Sequence, residues 1–408
     1  MKPIYILGGS QTDFAVNLAR EGREIFDLFK QVLDQGLDDA SLDAHEVGVG
    51  HVGNFVSELF TGQAHLGGFF AEADPGFEGM PASRHEAACA SGSMALLSAM
   101  ADLESGRYDC ACVLGIEQMR NVDGQTGADH LAAAAWRGKE SLDACFLWPA
   151  QFAQLADVYT EQYQLDRQWL VEWSRHAFAN AKKNPLAQTR GWTIGPHQLS
   201  DDDEANPLIE GRLRKQDCGQ ITDGAAVVFL ASEAFAKGWC QKRNQSFDAL
   251  PKITGWGHTG APIRLERKLA KVPGPNDRLL PHVAQAFDQA LARAGVSSAK
   301  ALDAIELHDC FSITGYMLLD HLGLAPPGQA WQVIDQGIGL DGAFPVNPSG
   351  GLIGLGHPVG ATGVRMVHDA ARQVRGVAGD NQVEGLRTMA TLNVGGSATT
   401  VASFVVSQ

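Results

Sequence analysis

The sequence predicts an α/β protein with two similar layered halves and an inserted helical and loop subdomain. Short apolar runs alternate along the chain with longer helix-like segments, which favours helices packed on a largely covered sheet. The run 110–115 (CACVLG) is continuously apolar, as in a buried strand. Glycine accounts for 46 of the 408 residues and concentrates where apolar runs end. This placement is typical of strands that lead into tight turns and helices.

The predicted elements fall into three groups. Those of the first half are a strand at 3–7, helices at 24–38 and 90–104, and strands at 110–115 and 225–230. The insert has helices at 150–163 and 166–184 and holds five of the eight tryptophans. The second half opens at 251–257 and continues with a helix at 281–294, a strand at 302–307, a helix at 312–322, a glycine-rich loop at 347–362, a helix at 362–376 and a hairpin at 387–393 and 399–406. We therefore assign residues 1–119 and 217–248 to the N-terminal half, 120–216 to the insert and 249–408 to the C-terminal half.

Composition excludes several classes of function. The chain has 47 Asp and Glu residues and 32 Lys and Arg residues, which gives a net charge of −15. This negative charge disfavours nucleic acid and anionic membranes as partners. No apolar run approaches the roughly 18 residues that span a bilayer, and the N-terminus lacks a cleavable apolar stretch. We expect a cytoplasmic protein. The seven cysteines include no CxxC pair, so nothing supports a structural zinc site.

Cys89 is the first candidate for chemistry. It lies in HEAACASGSMALL, where small residues lead into an apolar helix. A thiol at a helix N-terminus is stabilised as thiolate, which predicts a pKa below the free value of about 8.5. The backbone N–H groups of this turn are also suited to hold an oxyanion. The alternative, a core cysteine in a stripe of small residues, remains open at this point.

The second candidate segment is 347–363, NPSGGLIGLGHPVGATG. Its six glycines and two prolines allow the backbone to approach a ligand closely. A dinucleotide-binding fingerprint does not fit, because no strand directly precedes glycines in GxGxxG spacing. His357, held between Gly356 and Pro358, is a candidate base. The alternative is a structural histidine.

Two further segments follow predicted strands. In ELHDCFS (306–312) the strand delivers His308, Asp309 and Cys310 to its end, where ligands collect in α/β folds. Three consecutive residues of an extended strand cannot all face one ion, which disfavours a metal site. In LNVGGSATT (392–400), Asn393 precedes a glycine turn that forms either a plain hairpin or a set of N–H groups for a substrate oxygen.

Together these segments resemble the thiolase family over essentially the whole chain. The resemblance rests on CASG at Cys89, DGAA at 223–226, the NPxGG…GHPxGxTG block and the closing glycine turn. Thiolases usually carry Asn-Glu-Ala-Phe and a terminal Cys-x-Gly, where this chain has His-Asp-Cys-Phe at 308–311 and Asn-Val-Gly at 393–395. At both of these positions the chain resembles the sterol-carrier-protein-type thiolases. Their His-Asp-Cys-Phe motif supplies the second catalytic cysteine.

The resemblance implies a thiolase-like fold and an acyl-CoA C-acyltransferase of lipid and fatty acid metabolism. Such an enzyme cleaves 3-oxoacyl-CoA with CoA, or condenses two acyl-CoAs, through an acyl-Cys89 intermediate. The implied catalytic residues are Cys89, His357, Cys310 and His308. One oxyanion hole is implied at the backbone N–H groups of Cys89 and Gly395, and another at His357 and His308. Coenzyme A is a substrate, no cofactor or metal is expected, and the chain is expected to form a homodimer or homotetramer.

Substrate contacts are predicted at Asn393, Gly356 and Ser349. The phosphates of CoA need local positive charge on this acidic protein, and we expect Arg212 and Arg264 to supply it. They belong to two basic clusters, one of Arg212, Arg214 and Lys215, the other of Arg264, Arg267, Lys268 and Lys271. A solvated charged face is the alternative for either cluster. The tryptophan-rich insert is expected to form an apolar wall for the acyl chain or pantetheine.

Two other kinds of protein share parts of this pattern. Ketoacyl synthases and hydroxymethylglutaryl-CoA synthase resemble thiolases in architecture, but their His-Gly-Thr or Glu-containing sites are absent here. A non-catalytic or partner-dependent thiolase-like protein that binds acyl-CoA is the remaining alternative. The joint presence of Cys89, Cys310, His308 and His357 favours the enzyme.

Overall fold

The structure is a computed structural model that describes residues 2–270, 274 and 277–408. Its strands are β1 Ile4–Gln11, β2 Val49–Gly53, β3 Ala82–His85, β4 Cys110–Glu117, β5 Leu208–Glu210, β6 Leu213–Arg214, β7 Gly224–Ala231, β8 Lys252–Gly260, β9 Ala304–Leu307, β10 Thr388–Gly395 and β11 Thr400–Ser407. Its helices are α1 Ile25–Ala40, α2 Ser57–Thr61, α3 Phe69–Ala73, α4 Ser91–Ser105, α5 Gly124–Leu131, α6 Leu147–Tyr163, α7 Arg167–Ala181, α8 Glu233–Arg243, α9 Leu265–Leu269, α10 Pro281–Ala294, α11 Ser312–His321, α12 Trp331–Gln336, α13 Gly351–Gly354 and α14 Thr362–Val374.

Within the described residues, one mixed sheet has nine strands in the order β3-β2-β4-β7-β1-β8-β11-β10-β9. Strands of the first half form one side of the sheet and strands of the second half the other. The two groups join where Ile4 pairs with Ile253 and Tyr5 with Lys252. Parallel pairs occur in both groups, β2 with β3 and β4, and β9 with β10. The sheet therefore repeats a similar arrangement in each half.

Helices cover both faces of this sheet. Helices α4 and α14 pack against each other and share one apolar cluster with the strand side chains of that face. On the opposite face, α1 and α8 cover the first-half strands, whereas α6, α7, α10 and α11 cover the second-half strands. The predicted helix at 281–294 coincides with α10, whose apolar residues recur at helical spacing and are buried.

The glycine-rich segment lies directly against the first half. A Cβ on Gly92 would lie 2.7 Å from the carbonyl oxygen of Gly360, so these backbones meet where no side chain fits. The prediction of a plain loop at 347–362 was incomplete, since the segment contains α13 and a 3-10 turn at Val359–Ala361. This packing brings His357 close to the turn that carries Cys89.

The region predicted as an insert contains α5, α6, α7 and the two-stranded sheet of β5 and β6. Helices α6 and α7 pack on α11, and α7 also packs on α13. The region therefore lies beside the segments that carry Cys310 and the glycine-rich loop. Within the part of the chain that the structure describes, no helix has both the length and the apolar character needed to cross a bilayer.

Candidate active site

Cys89 lies in a 3-10 turn between β3 and α4. Ser91 Oγ accepts a hydrogen bond from Ala87 N–H (2.9 Å) and donates one to the Ala88 carbonyl (2.6 Å), which closes the turn. Ala88 has a φ of 52°, a left-handed conformation that is unfavourable for a residue with a side chain. Such strain persists only where the surroundings enforce it, and it concentrates at functional sites.

The prediction of a lowered Cys89 pKa was wrong. Burial raises the pKa of the thiol to about 12, although hydrogen bonds from the backbone N–H groups of Gly396 and of Cys89 oppose the rise. The nearby carboxyl groups of Glu117 and Glu86 raise it further. The helix N-terminus does not compensate for the loss of water around the sulfur. The thiol is therefore protonated near neutral pH, and it could act as a nucleophile only if a base accepted its proton.

His357 is held in one tautomer by Thr362. Its Nδ1 lies 2.7 Å from Thr362 Oγ1, and that hydroxyl donates to the Pro358 carbonyl (3.1 Å). Because the hydroxyl proton is already used, Nδ1 carries the imidazole proton and Nε2 keeps a lone pair. Burial lowers the pKa of His357 well below its usual range, and His308 and Arg365 lower it further. The ring is a neutral base.

His308 is held in the same tautomer by Asn393. Its Nδ1 lies 2.7 Å from Asn393 Oδ1, while the Asn393 amide nitrogen donates to the Cys89 carbonyl (3.1 Å) and to Ser93 Oγ (2.9 Å). The amide orientation therefore leaves Nδ1 of His308 as the donor and Nε2 as an acceptor. Burial lowers the pKa of His308 to about 4. In this neutral state neither histidine offers an Nε2 proton to an oxyanion.

The three groups converge. One side-chain atom from each of Cys89, His308 and His357 lies within 4.8 Å of the other two. The two imidazole rings meet edge to face, with centroids 5.1 Å apart and planes at 88°. A thiol and two imidazoles are also ligands that a soft divalent cation accepts. Asp309 is not one of these groups, because its carboxylate accepts hydrogen bonds from Leu352 N–H (2.5 Å) and Trp173 Nε1 (3.0 Å).

Cys310 lies on the wall of the same cavity as Cys89 and His357. The cavity measures about 440 Å³ and is lined mainly by apolar side chains from the first half, the insert and the second half, among them Phe55, Met119, Leu131, Trp148, Phe152 and Phe311. Sγ of Cys310 is 3.7 Å from Thr314 Oγ1. Burial raises the pKa of this thiol as well, so Cys310 is a proton donor rather than a resting thiolate.

Several predicted substrate contacts do not reach this cavity. Ser349 is buried, where its hydroxyl donates to Glu306 (2.8 Å) and accepts from Arg365 (3.1 Å). Asn393 is buried, and its side-chain amide is fully engaged in holding His308 and the Cys89 turn. Gly356 has a φ of 125°, a conformation that favours glycine directly before His357. These three substrate contacts stay predictions without a place on the cavity wall, because spacing along the chain does not show which side of a tight segment faces the cavity.

The two predicted arginines are also outside the cavity wall. Arg212 binds Asp157 (2.7 Å) and Thr160 (2.6 Å), and Arg264 lies over the Trp136 ring at 5.7 Å. Lys215, from the same predicted cluster as Arg212, does line the cavity. Lys271 lies outside the described residues. Of the tryptophans in the insert, Trp148 forms part of the wall, whereas Trp173 packs in the core.

Sequence reasoning missed Gly396 and Glu117. Gly396 lines the cavity and its backbone N–H lowers the pKa of the Cys89 thiol, while the oxyanion role of Gly395 stays a prediction. The buried Glu117 carboxylate accepts hydrogen bonds from Phe55 N–H (2.9 Å) and Gly360 N–H (2.9 Å), and thereby ties the His357 segment to the first half. Burial raises the Glu117 pKa to about 7. Its signal in the sequence was a charged residue that ends an otherwise apolar strand.

Comparisons with known proteins bear on this geometry. The profile described as the N-terminal domain of thiolase matches residues 4–234, and the one described as thiolase C-terminal domain-like matches residues 274–408. Acetyl-CoA acetyltransferase of Methanothermobacter thermautotrophicus is 30% identical, with 100% of both chains covered. Acetyl-CoA acetyltransferase of Methanocaldococcus jannaschii is 32% identical over 100% of this chain and 99% of the relative. Sterol carrier protein 2 of Homo sapiens is 28% identical over 97% of this chain and 70% of the relative.

Solved structures share the fold. An aldolase described as Ltp2-ChsH2(DUF35) superposes with a TM-score of 0.79 at 20% identity, covering 99% of this chain and 97% of the other. The Acat5 thiolase of Ascaris suum in complex with coenzyme A gives a TM-score of 0.68 at 16% identity, with 100% of both chains covered. The predicted fold and the predicted family resemblance are confirmed. The chain belongs to the thiolase family.

Proposed function

We propose that this protein is an acyl-CoA C-acyltransferase that cleaves 3-oxoacyl-CoA with CoA, or condenses two acyl-CoAs, through an acyl-Cys89 intermediate. The observation that carries the proposal is the convergence of the Cys89 thiol with the His308 and His357 imidazoles within 4.8 Å. A protonated thiol next to neutral imidazole nitrogens is the arrangement of an activated cysteine nucleophile. The cavity in front of these groups has space for a substrate.

In the cleavage direction, Nε2 of His357 accepts the Cys89 proton as the sulfur attacks C3 of the 3-oxoacyl group. The C3 oxygen becomes an oxyanion, which we assign to the backbone N–H groups of Cys89 and Gly396. Collapse of this intermediate breaks the C2–C3 bond and leaves the electron pair on C2 as the enolate of acetyl-CoA. Cys310 donates its proton to C2, and acetyl-CoA leaves.

The enolate oxygen needs donors of its own. His357 provides one, because its Nε2 carries the proton taken from Cys89. His308 Nε2 is an acceptor, so its part in the predicted second oxyanion hole requires a bridging water that donates one hydrogen to Nε2 and the other to the enolate oxygen. In the second half of the reaction, CoA attacks the acyl-Cys89 carbonyl. The CoA thiol proton restores Cys310, and the His357 proton returns to Cys89.

Binding of CoA is supported by the chemistry of the cavity wall. Lys215 offers a positive charge for phosphate at the cavity, and the apolar side chains suit pantetheine and an acyl chain. The Ascaris suum structure is described as a complex with coenzyme A, and that protein shares this fold. We therefore transfer the CoA-phosphate assignment from Arg212 and Arg264 to Lys215.

Aldol cleavage is a second candidate. The neighbour with the TM-score of 0.79 is described as an aldolase. An aldol cleavage breaks a C–C bond without forming an acyl-enzyme, so it does not need Cys89 as a nucleophile. The placement of Cys89 against two neutral imidazoles favours thiolase chemistry over this alternative and over a non-catalytic acyl-CoA-binding role.

Intact-protein mass spectrometry tests the proposal. Mixing the protein with short, medium and long acyl-CoAs should add one acyl mass, and Cys89→Ala should abolish the addition. The acyl chain that reacts fastest identifies the preferred substrate. No adduct from any acyl-CoA, with the protein folded and its thiols reduced, would contradict the proposal.

The Cys310→Ala variant separates the two half-reactions. It should still be acylated at Cys89 by acyl-CoA, but C–C bond cleavage of 3-oxoacyl-CoA should slow by about 100-fold or more, since the carbon loses its proton donor. Cleavage at the wild-type rate would exclude Cys310 from the proton transfer. Cleavage of a 3-hydroxyacyl-CoA by wild type without any acyl-enzyme would support the aldolase instead.

A further inference from the structure

The turn between β10 and β11 carries Gly396, which lines the same cavity as Cys89 and whose backbone N–H lowers the pKa of the Cys89 thiol. Two of its residues have left-handed backbone conformations, Gly396 with a φ of 61° and Ala398 with a φ of 59°. Ala398 has a side chain, so this conformation is unfavourable and must be enforced by contacts around the turn. The position of the N–H at the sulfur therefore depends on what holds the turn.

Lys268 of α9 contacts the turn through its side chain. Its Nζ lies 2.8 Å from Ser397 Oγ, 2.9 Å from Thr399 Oγ1 and 3.2 Å from the Ile263 carbonyl. The side chain is buried, with 9% of its surface exposed. An ammonium has three N–H donors, and the three acceptors satisfy them. Two of these acceptors belong to the turn.

These acceptors are neutral, which is unusual for a buried lysine. Burial of an ammonium without a paired carboxylate is unfavourable, and an apolar side chain of similar size would suit the position better if stability alone mattered. Burial lowers the Lys268 pKa to about 7, and Glu140 is the acidic group that opposes this shift. The neutral amine still has two N–H donors, enough for both hydroxyls. The contact with the turn therefore persists in either protonation state.

Other contacts hold different atoms of the turn. His282 Nε2 lies 2.8 Å from the Ala398 carbonyl, and Ala261 N–H donates to the Thr399 carbonyl at 2.8 Å. Both of these reach the backbone carbonyls, whereas Lys268 binds the two hydroxyl side chains of the turn. Removal of Lys268 should therefore leave the hairpin in place and loosen its tip.

We propose that Lys268 is a positioning residue of the acyl-transfer site, which fixes Ser397 and Thr399 so that the Gly396 N–H stays aimed at Cys89 and at the oxyanion that forms there. The inference rests on the proposed function for its catalytic consequence. A misplacement of about 1 Å at a reacting centre costs up to 100-fold in rate, and loss of one oxyanion donor costs about 100- to 1000-fold. A donor that is loosened but not lost should reduce the rate by about 100-fold or less.

The test compares Lys268→Met with Arg267→Met, an exposed neighbour on the same helix whose replacement removes the same charge. In Lys268→Met, kcat for acyl transfer should fall about 10- to 100-fold while KM changes less than about threefold. The rate of iodoacetamide alkylation at Cys89, followed on the Cys89 peptide by mass spectrometry, should fall as well, since the thiolate loses a donor. Arg267→Met should resemble wild type in both measurements.

A double-mutant cycle separates positioning from a general effect on folding. Ser397→Ala combined with Thr399→Val removes the acceptors, and adding Lys268→Met to this pair should cause little further loss of kcat. Thermal unfolding shows whether each variant is folded at the assay temperature. A Lys268→Met variant that is less stable but has wild-type kcat and Cys89 alkylation would overturn the proposal, as would full additivity in the cycle.

The alkylation measurement does not depend on acyl-CoA chemistry. If wild type forms no acyl-enzyme but Lys268→Met still slows alkylation of Cys89, the proposed function fails and the positioning role stands. If wild type is acylated and Lys268→Met matches Arg267→Met in every measurement, the positioning role fails and the proposed function stands.

Discussion

The two halves of the sheet place different chemistry at comparable points. In the first half, Cys89 precedes α4, and in the second half His357 precedes α14, and these two helices pack against each other on one face of the sheet. The cysteine turn is closed by the Ser91 hydroxyl and leaves N–H groups free to face the sulfur. The histidine is fixed by a side-chain hydrogen bond to Thr362 that determines its tautomer. A nucleophile needs nearby donors, whereas a base needs one nitrogen occupied and the other free.

Neither half completes the site alone. Asn393, from the second half, binds the Cys89 carbonyl and Ser93 of the first, and Glu117 of the first half accepts from Gly360 of the second. The close approach of Gly92 to Gly360 allows these contacts. We therefore expect substitutions in either half to slow acyl transfer. The effect should be largest for residues that contact the reacting atoms and smaller for residues that only hold them in place.

The largest effect is expected from loss of the base. His357→Ala should slow acylation of Cys89 by about 1000-fold, because the protonated thiol then has to transfer its proton to a less suited acceptor. The measurement is the time course of acyl-enzyme formation by mass spectrometry, with Cys89→Ala as the blank. A loss of less than tenfold would assign the proton transfer to His308 instead, and His308→Ala would then show the larger effect.

A smaller effect is expected from loss of the tautomer lock. Thr362→Val removes the acceptor for Nδ1 of His357 and should slow acylation about tenfold, equivalent to about 1.4 kcal/mol. Thr362→Ser keeps the hydroxyl and is the matched control, expected within threefold of wild type. If the serine variant is as slow as the valine variant, the tautomer does not explain the loss, since serine keeps the hydroxyl that accepts from Nδ1.

The smallest effect concerns stability and pH. Burial lowers the pKa of His308 to about 4, so this residue stays neutral in the native state while it becomes charged in the unfolded state below about pH 6.5. Acidification from about pH 6.5 to 5.5 should therefore cost wild type about 1 kcal/mol relative to His308→Asn, which does not titrate. Urea unfolding of both proteins at the two pH values measures the difference. An unchanged difference would mean that the native-state pKa of His308 lies close to its value in the unfolded chain.

Much of the fold followed from residue patterns. Amphipathic spacing predicted α10, and a continuous apolar run predicted β4, because burial on one or both faces leaves a periodic trace in the sequence. The small residues after Cys89 predicted the turn and α4. The tight glycine-rich segment was harder to predict, since α13 and the 3-10 turn within it depend on packing against the first half.

The residues of the site could be predicted from the sequence better than their protonation states and hydrogen-bond partners. Cys89, His308, Cys310 and His357 all reach the same region, and family resemblance had indicated them. The Cys89 pKa was predicted in the wrong direction, because local sequence shows the helix dipole but not the loss of water around the sulfur. Ser349 turned out to belong to the buried Glu306 and Arg365 network, contacts that span segments far apart in the chain.

The sequence by itself determined most of the elements, the turn at Cys89 and the candidates for the reacting groups, since these depend on local spacing and residue type. Tertiary structure decided the tautomers of His308 and His357, the protonated state of Cys89 and the proximity of the Gly396 turn to this thiol. It also brought Lys268 under the turn that carries this donor. Each of these properties depends on which atoms meet across the two halves and on how much water they lose there, and neither is encoded by neighbours in the chain.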